Sequence, residues 1–291
     1  MTVRIRPLLP DDVVAAQAHS YATFADLDRR LGEPVPELTD DLRRRAQLRI
    51  AHLQRTDPDA AFAAELHGRL VGMALALRRG PLWFLSMLTV EPGLQGQGIG
   101  HRLLDAALAT SDGAPAGWIL ASPDPKALRR YGLAGFALHP GYAARGRLDR
   151  SLLPGGSTVR ESTMDADGEL VDDVARRLRG APYGPDLSVF AASGCRVLVA
   201  EDGRERGYCV YGPPGVACLA ATTPALAQRL LWEGLGRVEG EEVEVNWLTA
   251  DQQWAIDVAL AARLPLRPGS SSCRRGALGP LTPYLPSGAY G

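Results

Sequence analysis

The chain is almost without lysine: Lys126 is the only one, and every other basic residue that is not histidine is an arginine. That skew reads as codon bias rather than function. Cysteine is scarce too, with Cys195, Cys209, Cys218 and Cys273 all in the second half. No two form a C-x-x-C pair and no histidine cluster accompanies them. They read as buried free thiols in a reducing compartment, and no metal is expected. Neither sign of charge is in surplus; the net charge of -1 gives no reason to expect nucleic acid or an anionic membrane surface. No apolar run approaches membrane-spanning length. Met1 to Arg6 has a strand pattern with charges in it, not the apolar core of a signal peptide. A cytoplasmic protein with no nucleic-acid and no membrane partner is the expectation.

What is present suffices for two domains of ordinary size: 291 residues, 46% of them apolar. Val3 to Leu8 alternates as a strand. A helix starts at Pro10-Asp11-Asp12 and runs to about Leu31, and a second, with Thr39 as N-cap, runs from Asp40 to about Arg55. Ala61 to Leu66 and Arg69 to Leu77 read as strands joined at His67-Gly68, and Leu82 to Val90 as a third. A helix to about Thr110 follows, with Ile99, Leu103, Leu104, Ala107 and Leu108 on one face. Trp118 to Ala121 is a short strand, Pro125 to Leu133 a helix, and Phe136 onward a closing strand pair. The order is β-α-α-β-β-β-α-β-α-β.

The pattern breaks at Ser151 to Ser157, the expected linker, and then restarts. Ala64-Glu65-x-x-Gly68-Arg69-x-x-Gly72 is echoed by Ala200-Glu201-Asp202-Gly203-Arg204-x-x-Gly207, and Trp118 to Pro140 by Trp247 to Pro268. Two collinear echoes at an offset of about 130 residues argue for a duplicated fold. The domains are expected at 1–148 and 149–291. Trp118 and Trp247 fall on equivalent strands and are expected in the core.

Between the third strand of the meander and its helix lies Gln95-Gly96-Gln97-Gly98-Ile99-Gly100. Alternating glycines leave several backbone N–H groups with no Cβ above them, and the helix N-terminus adds more, together with a partial positive charge. Such a loop is a cradle for a pyrophosphate. A Walker A loop would need G-K-[ST], and there is no lysine here. A dinucleotide fingerprint would follow the first strand of a βαβ unit, and its last glycine position is His101. In the second half the strand Val216 to Ala221 runs straight into a helix through Thr222-Thr223-Pro224, with no glycine. The second copy has lost the cradle.

Leu88, Val90, Pro92, Gln95, Gly98 and Gly100, followed by Asp124-x-x-Ala127-x-x-x-Tyr131-x-x-x-Gly135-Phe136, resemble the motifs of the GCN5-related N-acetyltransferases. Asp124 stands where that family usually has Asn. The resemblance covers residues 1–148 in element order. It implies an α/β fold with a mixed (α+β) sheet, as two tandem acyl-CoA N-acyltransferase (GNAT-like) domains, the C-terminal one degenerate. It also implies acetyl-CoA as co-substrate. The pantetheine arm would lie beside the backbone of Leu88, Thr89 and Val90 like an added strand, and the pyrophosphate on Gly96, Gln97, Gly98, Ile99, Gly100 and His101. Tyr131 stands where the family places its general acid, and a small-molecule primary amine would attack the thioester directly; a protein amine is the alternative acceptor. No carboxylate lies in Ser86 to Val90, so the base is open among Glu65, Glu91, His139, Asp26, Asp28, Glu33, Glu37 and a water chain. The missing carboxylate and Asp124 motivate a second reading, a non-catalytic protein that senses acyl-CoA or an amine. Trp254 replaces Ala127 in the second copy and is expected to fill the slot of the lost cofactor. The tail from Pro280 to Gly291 is expected as an extended arm on the other domain, or disordered, with an arm reaching the acceptor cleft a further option.

Overall fold

The computed structural model describes residues 2–155, 159–213 and 215–291. Gly156 and Ser157 of the expected linker lie outside the described residues. The chain divides into two compact units, Met1–Arg78 with Trp83–Ala114, and Arg79–Leu82 with Pro115–Gly291.

The first unit is built from β1 (Arg4–Pro7), α1 (Val13–Leu31), α2 (Asp40–Thr56), β2 (Ala61–Leu66), β3 (Arg69–Arg79), β4 (Leu82–Val90) and α3 (Ile99–Ala109), the ends of β3 and β4 lying in the second. Its sheet runs β1-β2-β3-β4, with β1 and β3 antiparallel to β2. β4 is buried along both faces, as its continuous apolar run requires. α1 stops at Gly32, whose φ of 74° places it in the left-handed region that favours glycine. α2 starts where Thr39 Oγ1 accepts from the Leu42 amide at 3.2 Å, with Asp40 and Asp41 in the first turn against the helix dipole. On α3, Ile99, Leu103, Leu104 and Ala107 are buried, the face expected from their spacing.

The second unit holds β5 (Ala116–Ala121), α4 (Pro125–Leu133), β6 (Ala137–Arg147), β7 (Arg160–Ser162), α5 (Met164–Arg179), α6 (Asp186–Ala192), β8 (Arg196–Asp202), β9 (Glu205–Gly212), β10 (Gly215–Ala221), α7 (Pro224–Arg237), β11 (Glu242–Leu248), α8 (Gln253–Ala261), β12 (Leu266–Gly276) and β13 (Tyr284–Leu285). Its strands run β5-β12-β6-β11-β10-β9-β8-β7, with β13 on β10. From β7 to β12 the order of elements repeats that from β1 to β6, element for element. The hairpins β2–β3 and β8–β9 carry the echoed motif, and their glycines pack alike. A Cβ on Gly72 would stand 2.9 Å from Thr89 O and 3.1 Å from Leu103 Cδ1; one on Gly207 would stand 2.9 Å from Ala220 O and 2.6 Å from Leu230 Cδ1. Each glycine lets the next strand and its helix close on the hairpin. This matching fixes Thr89 and Ala220 as counterparts.

The structure corrects three expectations. Residues from Phe136 form no strand pair of their own. β6 is a single strand that pairs antiparallel with β12 and with β11, while β12 also pairs with β5. The closing strands of the two copies have changed places, and residues 115–148 pack with the second half. Trp118 is buried and donates to Ser272 Oγ at 2.8 Å. Trp247 is only half-buried and takes a φ of 65° beside a register shift in β11, so it is not the core residue its counterpart is. The tail is neither an arm on the other unit nor disordered: Leu281, Tyr284, Leu285, Ser287 and Tyr290 are buried in the second unit.

Candidate active site

The glycine loop begins where β4 ends. The Glu91 amide donates to Val71 O at 2.9 Å, and a single 3-10 turn over Pro92–Leu94 redirects the chain. Gln95 Nε2 returns to Val90 O at 3.1 Å and ties the loop to its strand. Gly96 and Gly98 have φ of 82° and 81°, and Gly98 is the N-cap of α3. The amides of His101 and Arg102 both turn back to Gly98 O. Ile99 and Gly100, in the first turn, have no intrahelical acceptor. A Cβ added to Gly96 or Gly98 would meet nothing within 4 Å. The concave side is therefore bare, and a side chain there would fill it. A bare turn of this kind at a helix N-terminus suits a phosphate group. Gln97 is exposed beside them, and the His101 ring is exposed and paired with Asp105 at 3.3 Å. Leu88 is half-buried on β4, and Thr89 and Val90 are buried.

A pocket of about 230 Å³ opens in the same unit between α1, α2, the loop that joins them and Met87 of β4. Phe24, Ala25, Leu38 and Leu42 form its apolar wall. Gln17, Ser20, Tyr21, Asp28 and Arg49 bring polar groups to it. Arg49 Nε donates to Ser86 Oγ at 3.1 Å, and its Nη2 reaches the Ser86 carbonyl, fixing α2 to β4. Tyr21 Oη donates to Pro36 O at 2.9 Å and holds the loop over the pocket. Gln17 is buried, yet its terminal Nε2 finds no hydrogen-bond partner. A buried polar atom left this way calls for a ligand atom or water. Burial, and Glu33 second, push the Asp28 carboxyl above the usual carboxylate range.

Of the candidate bases, Asp28 alone lines this pocket. Glu65 is held by Arg6, Glu91 by Arg69 and Asp26 by Arg30. Glu33 and Glu37 are exposed. His139 lies on β6 in the second unit, where burial, with Arg274 adding to it, lowers its basicity. The sequence reading missed Gln17 and His19. Burial lowers the His19 pKa, against Glu91 and a hydrogen bond to the Thr89 main chain; its Nε2 and the Thr89 hydroxyl both lack partners. The signal for the pocket was the spacing 17, 20, 21, 24, 25, 28, one face of α1.

Tyr131 belongs to the second unit, on α4, and is buried. Burial first, then Cys273, push its phenol well above the ordinary tyrosine value, so it keeps its proton across the neutral range. Asp124 serves as N-cap of α4, its Oδ1 accepting from the Lys126 amide at 2.8 Å, a bond that an Asn would make equally. Trp254 is buried in the core of the second unit, and its carbonyl accepts from Gln228 of α7. Among the described residues no group of His, Cys, Asp and Glu could hold a metal ion. Among them, too, no helix is long and apolar enough to cross a membrane.

Residues 21–111 match the family model of the acetyltransferase (GNAT) family. Among solved structures, a candidate acetyltransferase from Pyrococcus horikoshii is 17% identical with a TM-score of 0.77, over 99% of this chain and 96% of that one. A GCN5-related N-acetyltransferase from Sphaerobacter thermophilus is 17% identical with a TM-score of 0.60, over 94% and 95%. A tandem GNAT protein from the clavulanic acid biosynthesis pathway is 18% identical with a TM-score of 0.55, over 95% and 98%. At these identities the likeness is one of fold, and it extends over nearly the whole of each chain. No curated protein matches the sequence.

Proposed function

We propose, from the match of residues 21–111 to the acetyltransferase (GNAT) family model, that the chain is an acetyl-CoA-dependent N-acetyltransferase whose one working site lies in the first copy of the fold, residues 1–148. The observation that carries the proposal is the bare, left-handed Gly96–Gly98 turn at the N-terminus of α3. The main-chain amides of Gly96 to Gly100 would hold the pyrophosphate of acetyl-CoA, with His101, whose own amide turns back to Gly98 O, at the edge of the cradle, and the backbone of Leu88, Thr89 and Val90 would hold its pantetheine arm. Bound there, acetyl-CoA supplies an activated acetyl group.

The pocket between α1 and α2 takes the acceptor, a small primary amine. Its size is just below that of most ligand pockets, and its apolar wall with one half-buried carboxylate suits an ammonium carried on an apolar body. Asp28 draws the ammonium and takes up its proton, because its raised pKa brings it closer to the working range. Gln17 Nε2 donates to an acceptor atom of the same molecule. Attack is direct: the amine nitrogen bonds to the acetyl carbon, the carbon–sulfur bond breaks, the nitrogen sheds its second proton and the departing sulfur takes one up; Tyr131 is the general acid that the family resemblance implies. Calorimetry with acetyl-CoA, joined to a thiol-release assay over a panel of amines, tests the reading. Release of CoA thiol dependent on an amine supports it; tight binding without release on any amine favours a sensor of acyl-CoA.

A further inference from the structure

Ala220 of β10 is the counterpart of Thr89 of β4, since each carbonyl stands 2.9 Å from the Cβ position of the matching glycine. β10 is paired with β9 from Gly215 to Ala221 along one edge. Its other edge faces β11, with which Gly215 pairs through Glu244. Further along that edge, Leu219 and Ala220 pair with Leu285 and Tyr284 of β13. The tail is thus a short strand laid against the second-copy equivalents of Leu88 and Thr89, the residues assigned above to the pantetheine arm.

The tail then continues between the helices that correspond to α1 and α2. A Cβ on Gly288 would stand 3.1 Å from the Trp247 ring, so Gly288 packs flat on it. The Tyr290 ring meets Phe190 of α6 edge-on, centroids 5.2 Å apart. Arg179, fully buried in the last turn of α5, donates Nη1 to Tyr290 O at 2.6 Å and to Gly291 O at 3.0 Å. Its Nε and Nη2 go to the carbonyls of Ala181 and Pro182. The hydroxyls of Tyr183 and Tyr284 reach Gly291 O at 3.1 and 2.8 Å, and Gln252 Nε2 donates to Leu281 O at 2.9 Å. Removing the tail would strip acceptors from a buried guanidinium, which disfavours its release. An acyl-CoA would gain little in exchange. Thr223 Oγ1 already caps α7 by accepting from the Leu226 amide, and Pro224 has no N–H to offer a phosphate.

We propose that residues 281–291 are a built-in occupant of the second copy's ligand groove, covering both the strand edge and the helix-pair pocket that serve ligands in the first copy. This rests on the acyltransferase reading of that first copy. The second copy is closed by its own chain, and the protein binds one acyl-CoA. Trp254 therefore need not fill the slot alone.

Hydrogen exchange on the full chain, read by mass spectrometry with and without saturating acetyl-CoA, tests this alongside calorimetric stoichiometry. The amides of Leu219 to Ala221 and of Tyr284 and Leu285 should exchange on the order of a thousandfold slower than in an unfolded chain. They should be unchanged by acetyl-CoA, which binds once per chain. Tyr290→Ala should speed exchange at Tyr284 and Leu285 by about tenfold or more and leave β2 to β4 unaltered. Unprotected tail amides, protection lost on adding acetyl-CoA, or two acetyl-CoA per chain would overturn the proposal. A protected tail in a chain that binds no acetyl-CoA would support the seated tail while defeating the acyltransferase reading.

Discussion

Gly98→Ala separates the conformational role of the glycine loop from its role as a cradle. Gly98 has φ 81° and ψ -6°, and a Cβ there meets no atom within 4 Å. The substitution brings backbone strain without a clash. An alanine in the left-handed region costs about 1–2 kcal/mol, offset by about 0.4–1 kcal/mol from the stiffer unfolded chain. The net loss is about 1 kcal/mol, or roughly 4 °C in Tm for a unit of this size. Gly203→Ala is the matched control, since Gly203 has φ 60° and equally open space in a hairpin turn of the second unit. The two variants should lose similar stability. They should differ in ligand binding, because the Gly98 methyl projects into the space proposed for the pyrophosphate. Disturbing one hydrogen bond to a charged oxygen costs about 1.5–3 kcal/mol, so acetyl-CoA affinity should fall about ten- to hundredfold in Gly98→Ala alone. Thermal melts give the first quantity and calorimetry the second. Equal affinity in the two variants would refute the cradle.

Three further outcomes follow from the geometry. Tyr131→Phe should slow turnover by about a hundredfold or more with acetyl-CoA affinity nearly unchanged; equal turnover at the optimal pH would remove Tyr131 from the mechanism. Asp28→Asn should raise the KM for the amine and abolish the acidic limb of the kcat/KM profile, which burial of this carboxyl shifts upward in the native protein. Because the Asp28 pKa rises on folding, its contribution to stability is full below the unfolded value and lost as pH rises through the folded one. Asp28→Asn should therefore melt higher than the native protein at pH 7 and show no such gain in acid; the reverse order would show that burial does not perturb Asp28. Asp186→Asn removes the fully buried carboxylate that receives Arg79 Nε at 2.8 Å, and denaturant unfolding should show a loss of about 3 kcal/mol or more, whereas a loss under about 1 kcal/mol would mean that the pair is dispensable.

Much of the fold was legible because its signals are local. Thr39 capping α2, the His67-Gly68 turn, the buried face of α3 and the start of α4 at Pro125 follow from residues within a few positions of one another. The exchange of β6 and β12 was not legible. Both strands close equivalent copies, and which sheet edge each joins depends on pairing between residues more than a hundred positions apart, such as Ser272 with His139. The tail was misread for the same reason. Its proline and glycine content describes a chain with no local structure of its own, while its burial comes from Arg179, Phe190 and β10. In the candidate site, the glycine loop announced itself because positive φ demands glycine. The pocket between α1 and α2 did not: Gln17 and Asp28 look like ordinary polar residues of an amphipathic helix until the loop carrying Pro36 and Leu38 closes over them.

The central claim is that the first copy transfers an acetyl group to a small amine, and release of CoA thiol from acetyl-CoA over an amine panel measures it most directly. The account predicts release that depends on a small primary amine, falls steeply in Tyr131→Phe and Asp28→Asn, and persists in Gly203→Ala. Tight acetyl-CoA binding with no thiol released on any amine would contradict it.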